Sequence, residues 1–470
     1  MTKSGAFLRY LEHIGSAVGR ADRREQFKNY CQGLMLPLKR KSVEPLAASI
    51  DPEHVRSVHQ SLHHFVADSP WSDQAVLDEV NAWVLPRMNL TGSGAVFWIT
   101  DDTGMPKQGT HSVGVARQYC GQLGKTDNCQ VAVSLSIATA QASLPIKYQL
   151  YLPEVWTNDP KRCKEAGVPT DVCFATKPEI SLAQMRAAKA AGLPGDIVLA
   201  DAAYGDNTDY REGITELGMR YAVGIKAGTK VWAPDCEPLP AKPWSGKGRK
   251  PTHLRRGADN QPVTVKALAL SLPVRAWRKT TWREGTNVPL SSRFATVRVR
   301  AAHGDTQASV LHDEEWLLIE WPKGEPEPTR YFLTTLPVET TRKELVNVVK
   351  MRWRIERDYQ ELKQEFGLDN FEGRNWRGFH HHATLCIAAY GFLIGERLVH
   401  GESVKKNHCV SKKPALPESY TPRGARAAPA ARSGLDRDPA LGTRRRNRPP
   451  PASLDRLRSA CENQAAFLTQ

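Results

Sequence analysis

AVFWITDDTG, residues 95–104, runs six apolar and β-forming residues straight into a pair of carboxylates. A short apolar run of this kind reads as a buried strand, and open α/β sheets gather ligand-binding groups at strand C-termini. The pattern returns in DIVLADAAYGD, residues 196–206, where a second apolar run ends at Asp201. A third acidic position, Glu356, lies in KMRWRIERDYQELKQEFG, residues 350–367, which has the spacing of a basic amphipathic helix. Asp102, Asp201 and Glu356 are therefore the candidate site, with Asp101 competing for the first position.

Outward from that first strand, QVAVSLSIA (130–138) and PIKYQLYL (145–152) read as two more strands. ISLAQMRAAKAAGL (180–193) is a helix that stops at Gly192 to Gly195. After the Asp201 strand come a helix, NTDYREGITELG (207–218), and a strand, RYAVGIKAG (220–228). Three strands, helix, strand, helix, strand is an α/β order.

Residues 231–339 interrupt this order with β-forming stretches at 291–302, 314–321 and 329–336 and a basic loop, AKPWSGKGRKPTHLRRG, at 241–257. Six of the twelve tryptophans fall here (232, 244, 277, 282, 316 and 321), which suits the core of a β-rich insertion. Residues 341–368 then read as one continuous helix carrying Glu356, followed by a more apolar helix at 381–398. Upstream, residues 1–92 show helical periodicity at 7–19, 24–35, 52–66 and 72–88, a small helical domain that would serve as a clamp or bind DNA ends. The expected organisation is a helical N-terminal domain (1–92), a core in two parts (93–230 and 340–400), the insertion (231–339) and a Pro/Arg-rich tail (401–470) that is expected to be disordered.

Composition narrows the partner. The 470 residues carry a formal net charge of +15, of which the tail supplies +8, so the body is basic as well. That balance favours a polyanion such as nucleic acid. The nine cysteines are scattered and contain no C-x-x-C pair, which argues against a zinc or redox motif and for a reducing cytoplasm. The N-terminus lacks a signal-peptide core and the longest apolar run, 383–395, is shorter than the roughly 20 residues of a membrane helix. A soluble cytoplasmic chain without membrane association is expected. There is no G-x-x-x-x-G-K-[ST] loop, so nothing supports a nucleotide cofactor.

Carboxylates are the ligands Mg²⁺ prefers. Two such ions about 4 Å apart can activate a nucleophile on one side of a phosphorus and stabilise the leaving oxygen on the other. On a helix turning about 100° per residue, Arg352, Glu356 and Lys363 share one stripe, with Tyr359 on its flank. Such a stripe can hold metal and grip phosphate, or can simply be a solvated ion-paired face. Arg117 and Lys125 lie near turns where they would meet DNA or form a solvated hairpin. His380, His381 and His382 are consecutive and point about 100° apart, so they form no ligand face.

VVKMRWRIERDYQELK, residues 348–363, resembles the Y-(2)-R-(3)-E-(6)-K signature of bacterial insertion-sequence transposases of the DDE family. Arg352, Glu356 and Lys363 match its Arg, Glu and Lys, whereas Val349 stands at its Tyr. Asp102-Thr103 and the Asp201 strand resemble the family's two aspartate motifs. The resemblance implies a ribonuclease H-like mixed sheet with flanking helices and a β-rich insertion. It also implies Asp102, Asp201 and Glu356 as catalytic metal ligands for two Mg²⁺, with Mn²⁺ able to substitute. The implied partners are DNA, as terminal inverted repeats and target, and a second copy of the chain in a synaptic homodimer. The implied activity is cut-and-paste DNA transposition. The alternatives are a structure-selective metal-dependent endonuclease of the same fold, or a non-catalytic DNA-binding descendant.

Overall fold

The computed structural model describes residues 3–92, 94–283 and 290–406. The chain divides into residues 1–398 and 399–470, and of the second unit only 399–406, the end of a long helix, is described. The tail expected from residue 401 otherwise lies outside the described residues.

Five helices open the chain: α1 (Lys3–Gly15), α2 (Ala21–Met35), α3 (Val43–Ile50), α4 (Val55–Ala67) and α5 (Asp73–Val84). Helical periodicity in the sequence accounts for all but α3, a two-turn element. They bury aromatic anchors such as Tyr10, Phe27, Tyr30 and Phe65. The core follows with β1 (Phe97–Pro106), β2 (Ala116–Cys120), β3 (Lys125–Ala138) and β4 (Ser143–Leu150). Next come α6 (Glu154–Thr157), α7 (Pro160–Glu165), α8 (Lys177–Ala190), β5 (Ile197–Ala200), α9 (Ala202–Gly205), α10 (Thr208–Glu216) and β6 (Arg220–Ile225). A capping box of Thr176 and Glu179 starts α8, satisfying N–H groups that its first turn leaves orphaned.

The order β4-β3-β1-β5-β6 is antiparallel across its first three strands and parallel across the last three. This is a mixed α/β sheet flanked by helices, consistent with the ribonuclease H-like class. Thr100 bonds Ser181 of α8 at 2.8 Å, so α8 covers one face of the sheet. The other face is covered by the C-terminal helices described next.

The insertion adds β7 (Lys230–Trp232), β8 (Val263–Thr264), α11 (Val265–Ser271), β9 (Arg278–Arg283), β10 (Leu290–Ala301), β11 (Glu314–Trp321) and β12 (Arg330–Thr334). Strand β12 pairs antiparallel with β6, so the insertion's strands continue the core sheet as β6-β12-β11-β10-β7-β8. Three helices follow: α12 (Arg342–Lys350), α13 (Trp353–Gln364) and α14 (Trp376–Lys406). The single helix expected over 341–368 is thus two. Met351 N donates to Val348 O and Arg354 N to Met351 O, at 3.0 and 3.1 Å, and these i to i−3 bonds tighten the joint.

Helix α14 is the post around which α1, α2, α4 and α5 gather. Tyr10 Oη donates to Ala388 O at 2.6 Å, and Trp71 stacks on His381 with ring centroids 3.5 Å apart. The three consecutive histidines do diverge: each is buried and meets its own partners. Among the described residues no helix is long and apolar enough to cross a membrane.

Candidate active site

Successive side chains of a strand point to opposite faces, and in β1 this separates the two adjacent aspartates. Asp101 lies opposite Ser134 of β3, on the face covered by α13. Asp102 shares the face of Thr100 and forms an ion pair with Lys177 at the start of α8. The strand also runs further than its apolar run suggests. Strand β5 leaves β1 after Ile99, but β3 continues to pair with it as far as Pro106. The carboxylates are therefore mid-strand, at the point where β1 and β5 part.

Asp201 follows β5 and caps α9, its Oδ1 accepting from Ala203 N at 2.9 Å. Two glycines allow this turn to lie against β6. A Cβ on Gly205 would sit 2.2 Å from Gly224 O, and one on Gly224 would sit 2.8 Å from Ala202 N and 3.1 Å from the Asp201 carbonyl carbon.

Glu356 stands in the first turn of α13 with its side chain 60% exposed. Arg352, one turn earlier, links it to the sheet: Nη1 donates to Asp101 Oδ2 at 2.7 Å and Nη2 to Glu356 Oε1 at 3.2 Å. Burial works against the charge of Arg352, yet Asp101, Asp201 and Glu356 together raise its pKa above the ordinary arginine value. Burial likewise lifts Asp101 to about 6; Arg352 opposes this, and the negative charges of Asp201 and Asp102 add to it. One cation thus bonds carboxylates from β1 and α13, and the charge of Asp201 at the β5 end acts on it as well.

The remaining candidates occupy other positions. Lys363 Nζ donates to Gly104 O at 2.8 Å and to Gln122 Oε1 at 3.1 Å, fastening the far end of α13 to β1 and the β2–β3 turn. Its pKa is lowered, chiefly by burial. Tyr359 is 7% exposed and donates to Ser134 Oγ, which makes it a seat for α13 on the sheet rather than a surface group. Arg117 and Lys125 are exposed on the β2–β3 hairpin, and Lys125 pairs with Asp127 at 2.8 Å.

Asp201, Arg352 and Glu356 line a cleft of about 520 Å³ together with Trp282, Arg330, Lys350 and Trp353. Lys350 Nζ lies 2.7 Å from buried Glu320 and 4.4 Å from the centre of the Trp282 ring. The sequence pattern places Trp282 in the core and does not single out Lys350 or Arg330. Nothing local marks Trp282 or Arg330 as cleft residues, because they reach the cleft only through the pairing of β12 with β6. Lys350 could have been found from its place two residues before Arg352.

Among the described residues no three His, Cys, Asp or Glu side chains form a ready-made metal cage. The Arg352 guanidinium lies between Asp101 and Glu356. The donor set itself is all carboxylate, which fits a hard divalent cation.

A family model described as DDE superfamily endonuclease matches residues 10–289, a span that includes Asp101, Asp102 and Asp201 and ends before α13. A probable transposase for insertion sequence element IS701, from Microchaete diplosiphon, is 24% identical over 349 residues, covering 74% of this chain and 76% of that protein.

Proposed function

The chain belongs to the DDE superfamily of endonucleases, and from that premise we propose that it is a DNA transposase that cuts at the ends of a mobile element and joins the freed ends to target DNA. The observation that carries this reading is the meeting of Asp101, Asp201 and Glu356 around Arg352. Similarity to the IS701 protein, which is named a probable transposase, supports it further. The +15 charge suits the polyanionic substrate.

In this reading Asp201, Glu356 and one member of the Asp101–Asp102 pair hold two Mg²⁺, for which Mn²⁺ substitutes. What supports Asp101 as that member is its shared face with Arg352 and Glu356; what weighs against Asp102 is its ion pair with Lys177 on the other face. Bound metal would make the attacking oxygen a better nucleophile and stabilise the leaving oxygen. Arg352 would exchange its carboxylate partners for a DNA phosphate, a ligand its planar fork suits equally well. The cut-and-paste route and the pairing of two ends by two copies belong to the same reading.

The test is cleavage of a duplex carrying the element end, with Mg²⁺ and a target plasmid, by the wild type and three variants. Glu356→Gln should bind the duplex and leave it uncut, and full cleavage by that variant would remove the reading. Asp101→Asn should lower cleavage by at least roughly 10³-fold and Asp102→Asn by much less; the reverse ranking hands the first metal position to Asp102. Cleavage without strand-transfer products would mark a structure-selective endonuclease, and binding without any cleavage by the wild type a non-catalytic descendant.

A further inference from the structure

Residues 241–257, AKPWSGKGRKPTHLRRG, form a basic loop that the candidate active site does not use. No acidic residue occurs between Glu237 and Asp259. Lys242, Lys247, Arg249 and Lys250 are all exposed, and none has an ion pair among the described residues. Self-repulsion would make such a tip unfavourable unless something holds it or neutralises it.

The root of the loop is held firmly. Leu239 and Arg255 exchange backbone hydrogen bonds of 2.8 and 2.9 Å, and Leu254 N donates to Ala308 O at 2.9 Å. Arg256 forks onto Asp305, with Nη2 to Oδ1 at 2.7 Å and Nε to Oδ2 at 3.1 Å, and also reaches Ala302 O. Asp305 is 2% exposed and accepts a third bond, at 3.0 Å, from the Trp232 indole. At the tip, Gly246 and Gly248 adopt positive φ of 81° and 73°, which lets the chain turn back, and Trp244 Nε1 donates to Gly248 O at 3.2 Å. The fold anchors the loop with a buried carboxylate and leaves four cations at its tip without counter-charge among the described residues.

We infer that this loop is a second DNA-contacting surface, gripping duplex phosphates away from the cut. The inference rests on the transposase reading above. No residue of 241–257 lines the cleft that holds Asp201 and Glu356, so the loop's contacts would lie outside it. The contact would be independent of sequence, since Lys and Arg at a loop tip address phosphate rather than base edges.

The test neutralises the tip: Lys242→Gln, Lys247→Gln, Arg249→Gln and Lys250→Gln combined. A charge-matched control replaces the exposed Lys161, Lys164, Arg186 and Lys189 with Gln. Anisotropy titrations of a mixed-sequence duplex of about 40 base pairs over a range of KCl give the slope of log K against log salt, whose magnitude falls by about 0.9 for each phosphate that the protein ceases to neutralise. The tip variant should be shallower than the wild type by about 2 to 3, with the control unchanged. Hydroxyl-radical footprinting on the element end should show protected backbone positions that disappear in the tip variant alone. Equal slopes for tip variant and wild type, or an equal fall in the control, overturn the loop assignment while leaving the transposase reading intact. Failure of the wild type to bind any duplex overturns both.

Discussion

Arg352 Nη1 lies 2.7 Å from Asp101 Oδ2, joining residues 251 positions apart and fixing α13 against β1. The same guanidinium reaches Glu356, so a protein cation bridges two carboxylates and lines one cleft with Asp201. Its positive charge lowers their mutual repulsion.

Arg352→Ala should expose that repulsion. Breaking a fully buried ion pair costs about 3–5 kcal/mol; Arg352 is 27% and Asp101 17% exposed, so roughly 1–3 kcal/mol is expected here. Urea denaturation measures the loss. Added Mg²⁺ should raise the Tm of the variant more than that of the wild type, because the ion takes over the missing positive charge. Identical Mg²⁺ shifts in the two proteins would show that Arg352 does not occupy the cation's place.

Gly205→Ala addresses the turn that presents Asp201. The added Cβ would lie 2.2 Å from Gly224 O and 2.6 Å from Val223 Cβ, both parts of β6. A clash with backbone cannot relax through a rotamer, so a cost of about 1–3 kcal/mol is expected. Because Gly224 packs on the Asp201 backbone, cleavage should fall more than DNA affinity does. A variant with unchanged stability to denaturant and full cleavage would refute the close-packing argument.

The buried His382 gives the fold an acid limit. Tyr30 Oη donates to its Nδ1 at 2.8 Å, and its Nε2 donates to Gly367 O at 2.9 Å, an arrangement that satisfies the neutral ring. Burial is the main cause that lowers its pKa to about 4, below the 6.5 of an unfolded histidine. The unfolded chain therefore takes up the proton first. The contribution is fully present above pH about 6.5 and is lost as the pH falls toward about 4, by up to about 3 kcal/mol. His380 and His381 are depressed in the same direction, so His382→Gln should flatten the stability profile between these limits by one share rather than abolish its slope. Unfolding midpoints measured across that range decide; an unaltered slope would rule His382 out.

Much of the architecture was legible in residue order. Strands β1, β3, β4, β5 and β6 and helices α8, α10 and α14 follow from apolar runs and helical spacing, since those patterns record which faces are buried. Strand β2 and helix α3 were not legible, being short and built from mixed residues. The break between α12 and α13 was equally hidden, because both sides keep helical periodicity and the backbone stays in the helical region through Met351 and Arg352. Tyr359 looked like a group on the flank of the charged stripe. Its burial against Ser134 depends on which side of α13 the sheet lies, which no local pattern states.

By itself the sequence determined the longer core strands and helices, the basic charge and the three acidic motifs, because each depends on neighbours within a few turns or one strand. Tertiary structure alone decided that Asp101 rather than Asp102 turns toward Arg352, that β12 carries the insertion onto the edge of β6, and that Trp282 and Lys350 reach the cleft. The physical reason is that strand register and pairing partner choose a side chain's face and distant neighbours. A shift of one residue along β1 would reverse every face while leaving its composition the same.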